Sequence, residues 1–412
     1  MAKIKAFAGY RPPQNKVAKV ASPPYDVINS KEARQMAKGN DLSFLHINKP
    51  EIDLDPSIGL YEEVVYQKAK SNLENFITGG TLIKDSKPCL YAYRQIMGDH
   101  SQLGLMAAAA VDDYDDDNIK KHEKTRKQKE DDRAHHVDVC NCNAGPVFLT
   151  YKADSKLDAL MEEASSGEPT YDFTADDGIK HTMWVIDNDE LIAEIIGTFE
   201  GINPTYVADG HHRAKSGSRV RQLRKEANPN HTGNESYNYF MTVFFPDNQL
   251  KILDYNRVVK DLNGLGLDEF LEKVGESFDV SDTTVASPEN VHDFGMYLNG
   301  QWYRLTAKKG TFDANDPVGC LDVSILQNNL LTPLLGIQDP RTDERIDFVG
   351  GIRGMAELEK RVGSGSWAVA FAMYPTTMEQ LMNIADAGEI MPPKSTWFEP
   401  KLRSGMVVHI FD

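Results

Sequence analysis

The run Tyr206-Val207-Ala208-Asp209-Gly210-His211-His212-Arg213-Ala214 sets an acid, a glycine, two imidazoles and a guanidinium side by side. Thr205 to Ala208 is short, apolar and strand-like, and Ala214 to Ala227 is polar with helical composition. The reading is strand, tight turn, helix start. Gly210 permits a sharp turn or a close backbone approach to a ligand. The free N–H groups that open the helix face that turn and carry partial positive charge. Arg213 adds a rigid fork of donors that fits phosphate or carboxylate oxygens. His211, His212 and Arg213 are therefore candidate phosphate-binding residues. Asp209 stands beside them to hold a metal, a hydroxyl or an amine. The same letters also suit an ordinary surface turn with Asp209 capping the helix. The adjacent arginine and the strand-to-helix setting favour the anion site.

A second constellation is His122-Glu123-Lys124-Thr125, followed by Lys129, Asp132 and Arg133. Residues 119–136 read as one polar helix. On it His122, Thr125, Lys129, Asp132 and Arg133 share a broad face, with Glu123 to one side. Glu123 or His122 is a candidate general base, and Lys129 and Arg133 are phosphate-compatible. Phosphoryl transfer needs this equipment, because positioning and charge neutralisation do most of its work. The competing reading is a solvated helix laced with ion pairs such as Glu123 with Lys127. The acidic run Asp112 to Asp117 reads as a solvated loop that caps this helix, or else as a capture point for Mg²⁺.

The third constellation is the tail from Met391 to Gly405. Lys394, Ser395 and Thr396 form a small phosphate-binding set without the glycine pattern of a P-loop. Prolines stiffen it, and Trp397, Phe398 and Leu402 suggest a docked segment and not a frayed end. Cys140-x-Cys142 with His135 and His136 has poor spacing for zinc, and no protein metal ligands are assigned.

These residues must be positioned by a chain of 412 residues, 41% hydrophobic and 26% charged, which is globular. Its formal charge of −17 repels nucleic acid and anionic membrane, so neither is an expected partner, and a bound anion needs a local basic pocket. No apolar run is long enough for a signal peptide or a membrane span. Four cysteines, Cys89, Cys140, Cys142 and Cys320, fit a reducing cytoplasm. Helical spacing marks 57–78, and 189–199 reads as a short helix. Leu90–Arg94 and Leu103–Val111 read as a hairpin across Gly98-Asp99, with further strands at 182–186, 239–245, 250–259 and 367–374. Strands near helices without regular alternation indicate α+β with mixed sheets.

Taken in order, Ser22-Pro23-Pro24-Tyr25-Asp26-Val27-Ile28, the His122-Glu123-x-Thr125 element with Lys129 and Asp132-Arg133, Asp209 to Arg213, Tyr255-Asn256-Arg257-Val258-Val259 and the Met391 to Gly405 tail resemble the DUF1015 family. Asp-Gly-His-His-Arg is also similar to the signature of the ParB/sulfiredoxin-like fold as used by free L-serine kinases. The resemblance implies one large α+β unit over 1–412. A ParB/sulfiredoxin-like core at roughly 100–260 would carry large N- and C-terminal extensions, the latter at roughly 261–412 with its 391–405 tail docked on the site. It implies a kinase that phosphorylates the hydroxyl of free L-serine to O-phosphoserine, with pyrophosphate or a nucleotide (ATP or ADP) as donor. Glu123 matches the base and Asp209 the motif aspartate; His211, His212 and Arg213 would hold donor phosphates. Lys129, Arg133, Lys394, Ser395 and Thr396 join the donor pocket on chemistry alone. Mg²⁺ is expected with the donor.

Two other classes compete. A ParB-like nucleotide-binding regulator would want a basic recognition helix, which the acidic chain lacks. A phosphate-handling hydrolase or a sulfiredoxin-like reductase could use the same scaffold. The reductase needs a reactive cysteine, and the nearest to Arg213 in sequence are Cys142 and Cys320.

Overall fold

Runs dense in aromatic and branched side chains, such as Leu90–Met97 and Tyr239–Pro246, pair into sheets, and segments between them wind into thirteen α-helices among the described residues, giving a mixed α+β protein. The computed structural model describes residues 2–412. The chain divides into two compact units, Met1–Leu250 with Pro400–Asp412, and Lys251–Glu399.

The first unit is organised by a nine-stranded sheet. Its strands are β1 (Ile4–Lys5), β2 (Leu90–Met97), β3 (His100–Ala110), β4 (Ile119–Lys120), β5 (Val147–Tyr151), β6 (Tyr171–Thr174), β7 (Lys180–Ile186), β8 (Thr205–Asp209) and β9 (Tyr239–Pro246). The order is β4-β8-β5-β9-β3-β2-β7-β6, with β1 also on β3. Pairing is antiparallel except for β4 with β8 and β5 with β9. Side chains of one face alternate into the core, so Leu105, Ala107 and Ala109 of β3 pack with Leu149, Val207 and Phe244. Leu157 and Leu160 of the helix Ser155–Ala164, and Ile192, Ile195 and Phe199 of the helix Asp189–Phe199, cover them. Each such side chain contributes roughly 1.5–3 kcal/mol by leaving water.

Three helices matter for the site: α1 (Glu63–Thr78), α2 (Lys127–Cys140) and α3 (His211–Ala227). Ala134 and Val137 of α2 meet Val220 of α3, Tyr237 and Phe411 in one cluster. Arg224 on α3 fixes the pair by its 3.0 Å contact with Asp138 on α2. Helix α1 buries Ala69, Leu73 and Phe76 against Phe44, Ile47 and the C-terminal Val408. It begins at Glu63, later than the expected residue 57, and Gly59, a poor helix former, lies in that stretch.

The second unit holds a six-stranded antiparallel sheet of β10 (Tyr255–Val259), β11 (Phe278–Thr283), β12 (Asp293–Leu298), β13 (Gln301–Ala307), β14 (Ile346–Gly350) and β15 (Val369–Met373). Their order is β11-β13-β12-β15-β10-β14. The β run expected at 250–259 is two strands: Lys251–Leu253 pairs with Trp397–Glu399, and β10 enters the main sheet. Among the described residues no helix is long and apolar enough to cross a membrane.

Candidate functional site

Strand β8 ends at Asp209, Gly210 turns at φ 90°, and α3 starts at His211. Only glycine suits that turn. Its φ is left-handed, and a Cβ there would lie 3.0 Å from the Arg213 guanidinium carbon. The register of β8 on β5 shifts between Val207 and Asp209, an irregularity of the kind that re-aims a side chain at a strand end.

Arg213 is held on three sides. Its Nη1 donates to the Pro146 carbonyl, and its Nη2 lies 3.3 Å from Asp209 Oδ2 and 3.8 Å from Asp26 Oδ2. Lys401 Nζ stands 3.6 Å from the same Asp209 oxygen. Burial alone would raise the Asp209 carboxyl; Lys401, Arg213 and the Gly210 N–H reverse that and hold it below its ordinary range. Burial would likewise lower the Arg213 guanidinium, but Asp26 and Asp209 keep it firmly charged. Two anions and two cations thus balance around one turn.

The second group arrives through β4. Ile119 and Lys120 pair in parallel with Thr205 and Tyr206, so both strands release the chain at the same end of the sheet. This corrects the helix expected over 119–136: strand pairing takes 119–120, and α2 starts only at Lys127. His122 and Glu123 therefore sit in the connecting loop. The His122 and His211 rings meet edge to face with centroids 4.5 Å apart. The residues are 2% and 5% exposed; both ring nitrogens of His211 lack a hydrogen-bond partner, and those of His122 have no more than a marginal approach to the Val207 backbone. Burial lowers His122 to about 4 against the pull of Asp209, and burial with the neighbouring His122, His212 and Arg213 lowers His211 further. Both rings are neutral at neutral pH. One ligand atom each from His122, Glu123 and His211 lie within 4.8 Å of one another. Among the described residues this is the one group of three or more such side chains able to hold a metal ion.

His212 points elsewhere: its Nε2 accepts the Arg126 backbone N–H at 3.1 Å. Arg133 on α2 stacks over the Tyr25 ring at 4.2 Å and pairs with Asp132 at 2.9 Å, and Tyr66 donates to the same carboxylate. Arg133 and Arg213 line one cavity of about 30 Å³ with Tyr25, Asn143, Ser216 and Ser404. Lys129 Nζ lies over the Tyr61 ring at 5.6 Å, and Thr125 donates to Glu130.

The acidic run is solvated, with Asp112, Asp115, Asp116 and Asp117 exposed, but it is a loop only in its second half. Its first half is the helix Val111–Asp115, where Asp112 and Asp115 pair with Arg221 on α3. Cys140 and Cys142 are buried, and burial raises both thiols. His135 pairs with Glu63, and His136 faces the Ile47 carbonyl.

In the second unit, Lys394 has φ 62°, is exposed, and holds its ammonium 5.4 Å from the Tyr255 ring centroid. Its carbonyl accepts from Arg257 Nη2 at 3.0 Å. Ser395 Oγ donates to the Pro392 carbonyl, and its own carbonyl accepts from Thr376. Thr396 is half-buried. These hydrogen bonds serve the fold of the segment itself. The structure brings together His122, Glu123, Asp209, His211 and Arg213, with His212 and Arg133 flanking. Asp26 of the Ser22 to Ile28 motif and Lys401, a phosphate-compatible residue of the tail, complete the charge network. Their signals were the aspartate after Pro-Pro-Tyr and the lysine after Pro400.

A family model described as a protein of unknown function, DUF1015, matches residues 4–324. Among solved structures, a free serine kinase in complex with AMP is similar over 72% of this chain and 86% of its own, at 13% identity and a TM-score of 0.32. A conserved hypothetical protein from Pyrococcus furiosus is similar over 74% and 95%, at 12% identity and TM-score 0.35. SbnI with C-terminal truncation from Staphylococcus aureus is similar over 71% and 82%, at 12% identity and TM-score 0.36. No curated protein matches the chain.

Proposed function

The chain belongs to the DUF1015 family, and we propose that it is a kinase transferring a phosphoryl group to the hydroxyl of free L-serine to give O-phosphoserine. The observation that carries phosphoryl transfer is the Arg213 guanidinium, clamped by Asp209, Asp26 and the Pro146 carbonyl beside the N-terminus of α3. That arrangement fixes a guanidinium at the opening of a helix, whose N-terminal end carries partial positive charge, and this suits donor phosphates. Serine as acceptor, and pyrophosphate, ATP or ADP as donor, follow the resemblance of Asp209 to Arg213 to the serine-kinase signature. On that reading the sheet around β8 belongs to a ParB/sulfiredoxin-like core.

Arg213 binds the donor, His212 flanks it, and Arg133 and Lys129 extend the positive field. Asp209 or Glu123 orients the acceptor hydroxyl and receives its proton. Lys394, Ser395 and Thr396 remain proposed donor contacts. Mg²⁺ takes hard oxygen ligands, which Asp26 offers alongside the donor phosphates; bound there, it would neutralise charge on the transferring group. The free cysteines suit a reducing cytoplasm, where we place the protein.

The test is to incubate the protein with serine, Mg²⁺ and each of ATP, ADP and pyrophosphate, and to detect O-phosphoserine by mass spectrometry. Product with one donor, lost in a folded Asp209→Asn variant, is expected. No product with any donor, or near-normal turnover by that variant, defeats the assignment.

A further inference from the structure

We propose that His122, His211 and Glu123 form a resident site for a divalent transition-metal ion, distinct from the Mg²⁺ that would enter with a phosphoryl donor. The site adjoins the proposed phosphoryl-transfer centre, but the inference rests on the ligands alone.

The first argument is orphaned polarity. Two imidazoles lie almost wholly inside the protein, His211 with both ring nitrogens unpartnered and His122 with no more than a marginal approach to the Val207 backbone. Buried polar atoms are nearly always satisfied, and each left bare costs about 1–3 kcal/mol. Two such rings in contact are rarer still, since they give up hydrogen bonds to water for a weak edge-to-face contact. A metal ion would satisfy one nitrogen of each.

The second argument is geometry. Ligand atoms of His122, Glu123 and His211 converge within 4.8 Å, close to the spacing around one ion, and small side-chain rotations would close the remainder. They come from two connected elements. Glu123 and His122 follow β4, His211 opens α3 after β8, and the parallel pairing of those strands fixes their separation.

The third argument is ligand softness. Two imidazoles and one carboxylate suit zinc, iron, cobalt or manganese, whereas Mg²⁺ prefers oxygen and keeps its waters. Three protein ligands leave open positions, the pattern of a working site and not of a closed structural one. Those positions would accept a phosphate or hydroxyl oxygen. An ion here takes Glu123 out of the role of proton acceptor and leaves Asp209 facing the acceptor. A dissociative phosphoryl transfer asks little of a base, so the reaction survives that change.

The experiment measures metal directly and without substrate, so it is independent of the kinase assay. The full-length protein is stripped with chelator, titrated with Co²⁺ and Zn²⁺, desalted, and read by elemental analysis and by the visible d–d bands of Co²⁺. Expected is about one ion per chain, with absorption typical of nitrogen and oxygen ligands. His122→Ala and His211→Ala should each weaken binding by more than the roughly 10–100-fold that outer-shell changes cost. Because both rings are buried, Glu123→Gln serves as the second variant: it lies in an exposed position, should fold normally, and should also bind more weakly. His135→Ala, whose ring pairs with Glu63, should bind as the wild type does. No retained ion in the wild-type protein, or unchanged binding in folded Glu123→Gln together with either histidine variant, overturns the proposal.

Discussion

Lys401 places its ammonium 3.6 Å from Asp209 Oδ2, joining the last stretch of the chain to the motif at the end of β8. The lysine side chain is 15% exposed and the aspartate 29%, so the contact is partly shielded from water. With Arg213 it holds Asp209 ionised and fixes the direction of the carboxylate. Lys401→Met keeps the hydrophobic stem and removes the charge. Serine phosphorylation should fall roughly 10–100-fold in kcat/KM, corresponding to about 1.4–2.7 kcal/mol. Lys401→Arg should recover most of it. Equal activity of the Met variant and the wild type would mean that the pair is incidental.

Gly210→Ala tests the turn. Alanine at φ 90° costs about 1–2 kcal/mol, and its Cβ would press on the Arg213 guanidinium. That side chain is anchored to Pro146, Asp209 and Asp26, so it yields only by losing contacts. A lower denaturant midpoint and a raised donor KM should appear together. A donor KM that stays unchanged would show that the guanidinium position does not govern donor binding.

Much of this element was legible from local sequence. An apolar run, an Asp-Gly pair and a polar helical stretch specify strand, turn and helix without tertiary help. The hairpin of β2 and β3 and the helix Asp189–Phe199 were legible for the same reason. The meeting of His122 with His211 was not. It depends on a two-residue strand, Ile119–Lys120, which has no local signal beside the polar helical composition around it. Edge pairing with β8 overrides propensity there. Asp26 and Lys401 stood in motifs visible in the sequence, but their pairing with Arg213 and Asp209 was not legible, because only the return of both chain ends to β8 brings them together.

Arg213→Lys separates charge from shape. Lysine keeps the charge but cannot bridge the Pro146 carbonyl, Asp209 and Asp26 at once, because it lacks the planar fork. Donor KM should rise roughly tenfold or more, with serine KM little changed, since bidentate contacts to phosphate are the stronger kind. Steady-state kinetics with each substrate varied in turn reads both values. Equal increases would assign Arg213 to the architecture of the turn and not to the donor.

Asp322 provides a pH test in the second unit. Oδ1 of this buried residue accepts the His292 N–H at 2.9 Å, while Oδ2 has no hydrogen-bond partner. Burial raises its carboxyl to about 7, the His292 N–H and Arg257 opposing and Asp293 adding to the rise. The unfolded chain returns it to about 3.8, so the folded state binds the proton more tightly. Its contribution to stability is fully present below about 3.8 and is lost as pH rises through about 7. Asp322→Asn is neutral at every pH and escapes that loss. Between pH 5 and pH 8 the variant should gain on the wild type by on the order of 2–3 kcal/mol. Urea denaturation at the two pH values measures the difference. Stability curves that run parallel across this range would show that Asp322 titrates at its ordinary value despite its burial.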